Sequence, residues 1–426
     1  MTWRSATGGD EEDSRDRTHR GRYYVVRDSG AMLWLGLLLD PAPVIGGTNA
    51  PAGKWPDAAA VLYKQTDGSD QQMCSGTLVA PTVVLTAGHC DPSLDPSIGV
   101  LDNVLLGTTS LARPQDGETV PVSRVIQYPN SQSSIDVTVL VLGRAATEAP
   151  RPIANGWAKF DILNGAAVEF VGYGSIDKDG NTYIDDLQQA QSTITDFDCT
   201  MMSGCNTAAR PDGEVAAGGM GIDTCPGDSG GPMYLLTSYG TLLAGVTSRG
   251  YDNSMYACGE GGIYGRPDKI VDWIEQQTGV TVTRGPEPTA PSIMATHGDA
   301  GETVIEANDP KTEAHTFAIA TPPAHGMAAV NSEGRVRVCT DPASTGSDAV
   351  TVMVTDSAHT ERAVPVTIPI AIADGAAPKS CDVNAFSEDD GGGCCDSGHG
   401  GGSIPLAVGV LALVIRSRRG RNLAQV

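Results

Sequence analysis

The sequence predicts an all-β protein of more than one domain, and three observations lead to this fold class. The chain has 426 residues, which is too long for a single ordinary domain. It contains 52 Gly and 27 Pro, a composition that favours many short strands joined by turns over long helices. Hydrophobic residues make up 40 % of the chain, which is enough for a sizeable core.

Residues 44–280 contain short apolar runs that are bounded by Gly, Pro, Asn and Asp. These runs predict strands at Ser75–Ala87, Val137–Leu142 and Leu242–Ser248. A helix is predicted over Asp268–Thr278, because its apolar residues favour one face and an acidic residue begins it. The segment therefore reads as a β-rich domain that one terminal helix closes.

A second β-rich domain follows a Pro-rich linker over residues 281–292. Residues 293–375 contain the predicted strands Val350–Val354 and Ala363–Ile372, and we expect one small β-sandwich. Residues 376–403 are rich in Gly, Ser and Asp and are predicted to be disordered.

The two ends of the chain each carry a short apolar run. Residues 1–43 are interpreted as a signal and pro-segment, because Ala31–Leu39 has the length of a signal-peptide core and is too short to span a bilayer. A buried first strand is the alternative. Residues 404–426 place the apolar Ile404–Ile415 before the basic Arg416–Arg421, which predicts a sorting or anchor tail that is membrane-associated before processing. The alternative is a tail that is merely hydrophobic or amphipathic and has no sorting role.

The charge balance excludes one class of partner and leaves another open. The formal net charge is −23, and residues 44–280 contain 12 Lys and Arg against 27 Asp and Glu. Nucleic-acid binding is not expected, since phosphate contacts need basic patches. The acidity serves either solubility or the attraction of basic substrates. No ligand pattern for Ca²⁺ or Zn²⁺ is evident, and we expect neither a metal nor another cofactor.

Three motifs supply the groups that nucleophilic catalysis by serine requires. Serine is a weak nucleophile at neutral pH, so it needs a neighbouring base and a group that orients the base. Gly227–Pro232 (GDSGGP) surrounds Ser229 with glycines, Thr86–Cys90 (TAGHC) contains His89, and Asp136 begins an apolar run. Taken singly, they also fit a Gly-rich surface turn, a packed or surface histidine, and a turn residue at a strand entry.

In the order His, Asp, Ser these motifs resemble the chymotrypsin/trypsin family over residues 44–280. The resemblance implies two six-stranded β-barrels with the active site between them. It also implies that His89 is the general base, Asp136 orients it and Ser229 attacks the scissile carbonyl. The N–H groups of Gly227 and Ser229 would then stabilise the developing oxyanion.

The same resemblance implies a specificity pocket. Asp223 matches its floor, where a carboxylate would pair with Arg or Lys of the substrate. Gly250 and Gly262 match wall glycines that leave room for a long side chain. The alternative is that Asp223 merely closes a loop. Arg249 stands where the family usually has Trp, so the secondary subsites are expected to differ.

Activation is also implied by the resemblance. Val44 begins a VIGG motif that matches the new N-terminus of the activated family members, whose ammonium group would pair with Asp228. The family usually has Arg or Lys before this site, whereas this chain has Pro43. A trypsin-like activating peptidase is therefore not expected.

The ten cysteines look like a disulfide framework and not like metal-binding CxxC pairs. The resemblance implies the pairs Cys74–Cys90 and Cys225–Cys258, while proximity in sequence favours Cys199–Cys205. Cys339 and Cys381 are candidates for a pair in the second domain, and the remaining two, Cys394 and Cys395, for processing or modification.

Two further resemblances concern the C-terminal part. Residues 321–326 (TPPAHG) and 346–352 (GSDAVTV) resemble bacterial cadherin-like or immunoglobulin-like repeats. The Gly/Cys segment, the apolar run and the Arg cluster at the end resemble myxobacterial C-terminal sorting signals.

The sequence therefore predicts a serine endopeptidase that is secreted from, or held at the surface of, a bacterium. It would cleave protein or peptide substrates after Arg or Lys through an acyl-enzyme, with protein inhibitors as further candidate partners. The alternative is a catalytically silent protease homologue that acts as a surface binding or adhesion protein.

Overall fold

The computed structural model describes residues 44–210, 212–375 and 380–387. The chain divides into two compact units after Gly285. This division falls inside the segment that the sequence predicts as a linker, and the individual domain limits remain predictions. No helix in these described ranges is long and apolar enough to cross a membrane.

The first barrel of the first unit is closed and antiparallel. Its order is β2-β3-β4-β7-β6-β5, with β2 paired to β5. The predicted single strand Ser75–Ala87 is wrong, because Pro81 and Thr82 turn the chain and separate two paired strands. The strands of this part of the chain are β1 (Thr48–Asn49), β2 (Ala58–Lys64), β3 (Asp70–Ala80), β4 (Val83–Thr86), β5 (Val100–Leu106), β6 (Glu118–Gln127) and β7 (Thr138–Leu142).

The second barrel is closed by the pairing of β8 with β9, and β1 adds to β9 from outside. Its order is β9-β10-β13-β12-β11-β8. The strands are β8 (Ala167–Gly172), β9 (Gln188–Asp196), β10 (Glu214–Ala217), β11 (Pro232–Thr237), β12 (Gly240–Gly250) and β13 (Gly262–Gly265).

One α-helix, α1 (Val271–Thr278), follows the second barrel. It begins three residues later than predicted, because Pro267–Lys269 form a separate 3₁₀ turn. The helix ends at Gly279, whose φ of +71° lies in the left-handed region that glycine adopts most easily. The predicted double barrel with a terminal helix is confirmed.

The two barrels share part of their core. One cluster of buried side chains joins Leu85 and Val139 of the first barrel with Tyr234 and Val246 of the second. Trp55 stacks on Tyr234 with ring centroids 4.5 Å apart. The junction is therefore closely packed, and the loops that leave it can hold side chains from both barrels in fixed positions.

The second unit consists of two sheets. One has the order β14-β20-β19-β16 and the other the order β15-β18-β17. Buried and exposed residues alternate along β20, as expected where a sheet packs on one face only, and the predicted sandwich is confirmed. The strands are β14 (Ile293–Thr296), β15 (Ala300–Val304), β16 (His315–Thr321), β17 (Gly326–Val330), β18 (Arg335–Thr340), β19 (Gly346–Asp356) and β20 (Ala363–Ala373).

Residues 380–387 have a defined structure, whereas their composition predicts disorder. Cys381 forms a disulfide with Cys339 of β18. The Arg337 side chain donates to the carbonyl of Asp382 at 2.8 Å. These bonds fix the segment to the second unit. Residues 1–43, 211, 376–379 and 388–426, with Cys394 and Cys395, lie outside the described residues, so the interpretations of both ends of the chain stay predictions.

Candidate active site

Disulfides fix the loops from which the site is built. The structure forms all four expected pairs, so these predictions are confirmed. Cys74–Cys90 joins β3 to the 3₁₀ turn Gly88–Cys90, which carries His89. Cys225–Cys258 joins the loop before Ser229 to the loop before β13. Both loops therefore keep their positions without depending on local helix or sheet structure.

His89 and Asp136 are hydrogen-bonded as the triad prediction requires. Nδ1 of His89 lies 2.8 Å from Oδ2 of Asp136, and the backbone N–H of His89 donates to Oδ1 at 2.9 Å. Asp136 is 5 % exposed, whereas the His89 side chain is 41 % exposed. The bond to the carboxylate places the proton of the neutral ring on Nδ1, which leaves Nε2 with a lone pair.

Burial and hydrogen bonding act in opposite directions on the pKa of Asp136. Burial is the largest effect and raises it, but bonds from His89 and from the hydroxyl of Ser248 outweigh burial and hold the pKa below its usual value. A Cβ at Gly88 would lie 2.6 Å from Oδ1 of Asp136. Only glycine at this position therefore lets the carboxylate reach the backbone of His89.

Ser229 lies in the loop that precedes β11, and contacts between backbones bring this loop to the His89 side. The N–H of Ser75 donates to the carbonyl of Ser229 at 2.8 Å, and Ser75 adjoins the disulfide Cys74–Cys90. Gly230 has φ of +82°, and a Cβ there would overlap Thr86 Oγ1 and the Ser75 carbonyl. The close contact between barrels at the nucleophile therefore requires glycine.

Two amides beside Ser229 are available for an oxyanion. The N–H groups of Asp228, Gly230 and Gly231 donate to backbone carbonyls. Those of Gly227 and Ser229 have no backbone acceptor among the residues that the structure describes. The carbonyl of Gly227 accepts from Gln72 Nε2 at 2.8 Å and from Ser75 Oγ at 3.0 Å, which holds this part of the loop in place.

Asp223 is buried at the base of the loop before Ser229 and is 2 % exposed. Its carboxylate accepts the N–H groups of Thr224 at 2.8 Å, Gly259 at 3.0 Å and Gly261 at 2.9 Å. Burial nevertheless raises its pKa to about 6, more than these bonds lower it. The structure thus keeps a costly acidic group at this position.

Glycines leave space beside Asp223. Gly250 of β12 pairs with Gly262 of β13. A Cβ at Gly262 would lie 3.3 Å from Oδ1 of Asp223, whereas a Cβ at Gly250 would have no atom within 4 Å. The predicted pocket residues are therefore together, with open space over Gly250.

Asp228 is fully buried and points away from solvent. Oδ1 accepts the N–H of Gly174 at 2.7 Å and Oδ2 accepts that of Cys225 at 2.9 Å. Burial raises its pKa to about 7. A Cβ at Gly172, at the end of β8, would overlap its carboxylate. Val44 is buried in the core cluster of the same barrel, which includes Phe170 of β8.

Three functional candidates were not among the predicted site residues. Ser248 donates to Oδ2 of Asp136 at 2.6 Å. Arg249 donates from Nη1 to Ser248 Oγ at 2.9 Å, and its Nη2 lies 2.8 Å from Oε1 of Glu214. The sequence signal for Arg249 was its departure from the family's Trp; Ser248 and Glu214 had no signal of their own.

The described residues contain one cluster with the composition of a metal site, formed by Cys199, Cys205 and Glu214. The two sulfur atoms are joined in a disulfide and Glu214 pairs with Arg249, so this cluster offers no set of free ligands.

A cavity of about 940 Å³ lies beside Gly227, and not over Asp223. Gln72, Tyr173 and Tyr183 are among its lining residues. It therefore provides room for a polypeptide segment next to the candidate oxyanion amides.

Comparison with known proteins gives one consistent result for the first unit. A family model described as Trypsin matches residues 44–274. A trypsin of Saccharopolyspora erythraea is 33 % identical over 243 residues, which cover 55 % of this chain and 97 % of the relative. Brachyurin of Leptuca pugilator is 30 % identical over 246 residues, covering 56 % and 100 %.

Human serine protease 56 is 30 % identical over 269 residues. The matched region covers 59 % of this chain but only 41 % of that relative, so the chain spans less than half of its length.

Proposed function

Because this chain belongs to the trypsin family of serine proteases, we propose that it is a secreted endopeptidase that cleaves peptide bonds after Arg or Lys. The observation that carries the proposal is the hydrogen bond of 2.8 Å between His89 Nδ1 and Asp136 Oδ2, in a loop that is held against the loop of Ser229. Protein or peptide substrates follow from the family.

The reaction proceeds through an acyl-enzyme. His89 Nε2 takes the proton of the Ser229 hydroxyl while Oγ bonds to the scissile carbonyl carbon, and the amides of Gly227 and Ser229 stabilise the oxyanion. His89 then gives the proton to the leaving amine, the C–N bond breaks and the acyl group stays on Ser229. Water, deprotonated by His89, then attacks the ester carbonyl carbon. The bond from that carbon to Ser229 Oγ breaks, the carboxylic acid product leaves and His89 returns the proton to Oγ.

Specificity for a basic side chain rests on Asp223. A carboxylate that is 2 % exposed and whose pKa is raised to about 6 is unfavourable when it has no cation beside it. A guanidinium or ammonium group of the substrate would compensate for that cost at close range. The open space over Gly250 supports this assignment. The acidity of residues 44–280 adds attraction of basic substrates.

Activation requires a free Val44 ammonium group that pairs with Asp228. The raised pKa of Asp228, about 7, supports a need for such a cation. The carbonyl of Ile45 accepts the N–H of Asp223 at 3.4 Å, which links the new N-terminal segment to the specificity pocket. Pro43 precedes the cleaved bond, so the activating peptidase has a specificity other than that of trypsin.

The proposal also covers where the protein is located and which partners it binds. The disulfides favour an oxidising compartment, which supports export guided by a signal within residues 1–43. Residues 404–426 would associate with the membrane before they are processed, at the surface of a bacterium. The second unit is an immunoglobulin-like or cadherin-like module, and protein inhibitors of trypsin-like enzymes are candidate partners.

The experiment that tests this function is a burst measurement on chain cleaved before Val44. An arginine ester with a chromogenic leaving group should give a burst equal to the enzyme concentration, followed by steady turnover. Ser229→Ala should abolish both phases, whereas Ser123→Ala, on the exposed face of β6, should change neither. No burst in correctly cleaved, folded protein would favour the silent homologue.

A further inference from the structure

We propose that Arg249 and Glu214 are positioning residues of the triad, which act on Asp136 through the hydroxyl of Ser248. This inference rests on the proposed function, since it concerns the same catalytic site. Ser248 and Arg249 are neighbours on β12, while Glu214 begins β10.

The direction of the Ser248 hydroxyl is the first step. A guanidinium group has donors and no acceptor, so Ser248 Oγ must accept from Arg249, which lies 2.9 Å away. The single proton of Ser248 is then directed to Oδ2 of Asp136 at 2.6 Å. Because the donor to Ser248 is charged, it polarises the hydroxyl and strengthens the bond to Asp136.

Three of the roughly four acceptor positions of the Asp136 carboxylate are then used. Oδ2 accepts from the His89 ring and from Ser248, and Oδ1 accepts from the His89 backbone. The carboxylate cannot rotate without breaking one of these bonds. Loss of the directed Ser248 proton would leave the carboxylate held by His89 alone, and the His89 ring would lose part of its orientation.

Arg249 is itself held on the opposite side. Nη2 donates to the carbonyl of Gly204 at 2.7 Å, and Nε donates to the same carbonyl at 3.1 Å. Gly204 lies inside the loop that the disulfide Cys199–Cys205 closes. Nη2 also pairs with Glu214. The guanidinium therefore has one orientation, which a shorter or more flexible cation could not reproduce.

Glu214 supplies the counter-charge. It is 1 % exposed, and it accepts the backbone N–H of Asn206 at 2.7 Å. The Asn206 side chain donates to the carbonyl of Ser134, two residues before Asp136. The pair of Arg249 and Glu214 thus brings a charged donor to Ser248 without adding net charge beside the triad. Asn206, which directly follows the Cys199–Cys205 loop, also binds the segment that carries Asp136.

The test compares variants of the full chain, each cleaved before Val44. The double variant Arg249→Gln/Glu214→Gln removes both charges without leaving a buried ion unpaired. Its matched control is Arg284→Gln/Glu275→Gln, because the Arg284 side chain is 27 % exposed and that of Arg249 31 %, and both pair with a glutamate. Tryptophan fluorescence checks that each variant is folded.

With a small arginine ester we expect kcat of Arg249→Gln/Glu214→Gln to fall about 10-fold with KM unchanged, since the interaction affects the reacting groups and not the ground-state complex. Arg249→Lys should recover only part of kcat, because an ammonium lacks the planar fork. The control variant should retain the parent kcat.

The low-field ¹H resonance of the His89 Nδ1 proton gives a second readout that does not depend on turnover. It should shift or broaden in Arg249→Gln/Glu214→Gln and stay in place in the Arg284/Glu275 control. A folded double variant with unchanged kcat and an unchanged resonance would overturn the inference while the proposed function stands. A parent chain without any burst would overturn the proposed function, and the resonance would still decide the role of Arg249.

Discussion

Asp228 makes the stability of the first unit depend on pH in a way that cleavage before Val44 should remove. Burial, with a smaller contribution from Asp223, raises its pKa from 3.8 to about 7, and the two amide bonds from Gly174 and Cys225 only partly oppose this. The folded unit therefore binds this proton more tightly than the unfolded chain does. The resulting stability is fully present below about pH 4 and is lost as the pH rises to about 7.

The size of the effect follows from the two pKa values. A difference of one pKa unit corresponds to about 1.4 kcal/mol, so a rise to about 7 makes the intact chain lose about 4 kcal/mol of unfolding free energy between about pH 4 and about pH 7.5. A freed Val44 ammonium group would lower the pKa of Asp228, and most of this loss should disappear in the cleaved chain.

The assay is urea unfolding followed by tryptophan fluorescence over this pH range. Trp55, Trp157 and Trp273 are present in both forms, Trp3 and Trp34 only in the intact chain, and the second unit has no Trp, so the unfolding transition reports the first unit. Asp228→Asn in both forms subtracts the contribution of every other titrating group. If intact and cleaved chains lost the same free energy relative to their Asp228→Asn variants, the pairing of Val44 with Asp228 would be refuted.

Three further predictions concern other parts of the molecule. Asp223→Ser should lower kcat/KM for an arginine ester at least about 100-fold and leave a leucine ester nearly unaffected, as steady-state kinetics would show; an unchanged preference would contradict the pocket assignment. In urea titrations, Gly230→Ala should lower the unfolding free energy by about 1–3 kcal/mol more than Gly165→Ala. Both glycines have φ near +85°, but only a Cβ at Gly230 would overlap neighbouring atoms. Equal losses would contradict the close contact at Gly230. Cys339→Ser/Cys381→Ser should destabilise the second unit by about 4 kcal/mol in calorimetry, as a 42-residue separation implies, with peptidase activity retained.

The triad candidates and the fold class could be predicted because their signals are local. Ser229 stands among glycines, His89 stands before a cysteine, and Asp136 begins an apolar strand. Short apolar runs between turn residues indicate strands whatever their partners are. The sequence predicts one strand where the structure has the β3–β4 hairpin, because the turn at Pro81 interrupts the apolar run only briefly.

The support of the triad could not be predicted, since it depends on contacts between distant segments. Glu214 and Arg249 are 35 residues apart in sequence, and no spacing relates them. They meet because β13 pairs with both β10 and β12. Similarly, the link from Asn206 to the carbonyl of Ser134 depends on the path of a disulfide loop. Local pattern predicts which residues react, while the packing of strands determines what holds them.

The most direct test of the account is covalent labelling of Ser229 by an organophosphorus fluoride. In chain cleaved before Val44, mass spectrometry should find one adduct per chain, on Ser229, and none in Ser229→Ala or in protein unfolded with urea. The uncleaved chain should react more slowly, since the proposed pairing of Val44 with Asp228 would hold the oxyanion amides in place. A cleaved and folded chain that takes up no label, or takes it up on another residue, would contradict the assignment of His89, Asp136 and Ser229 as a working triad.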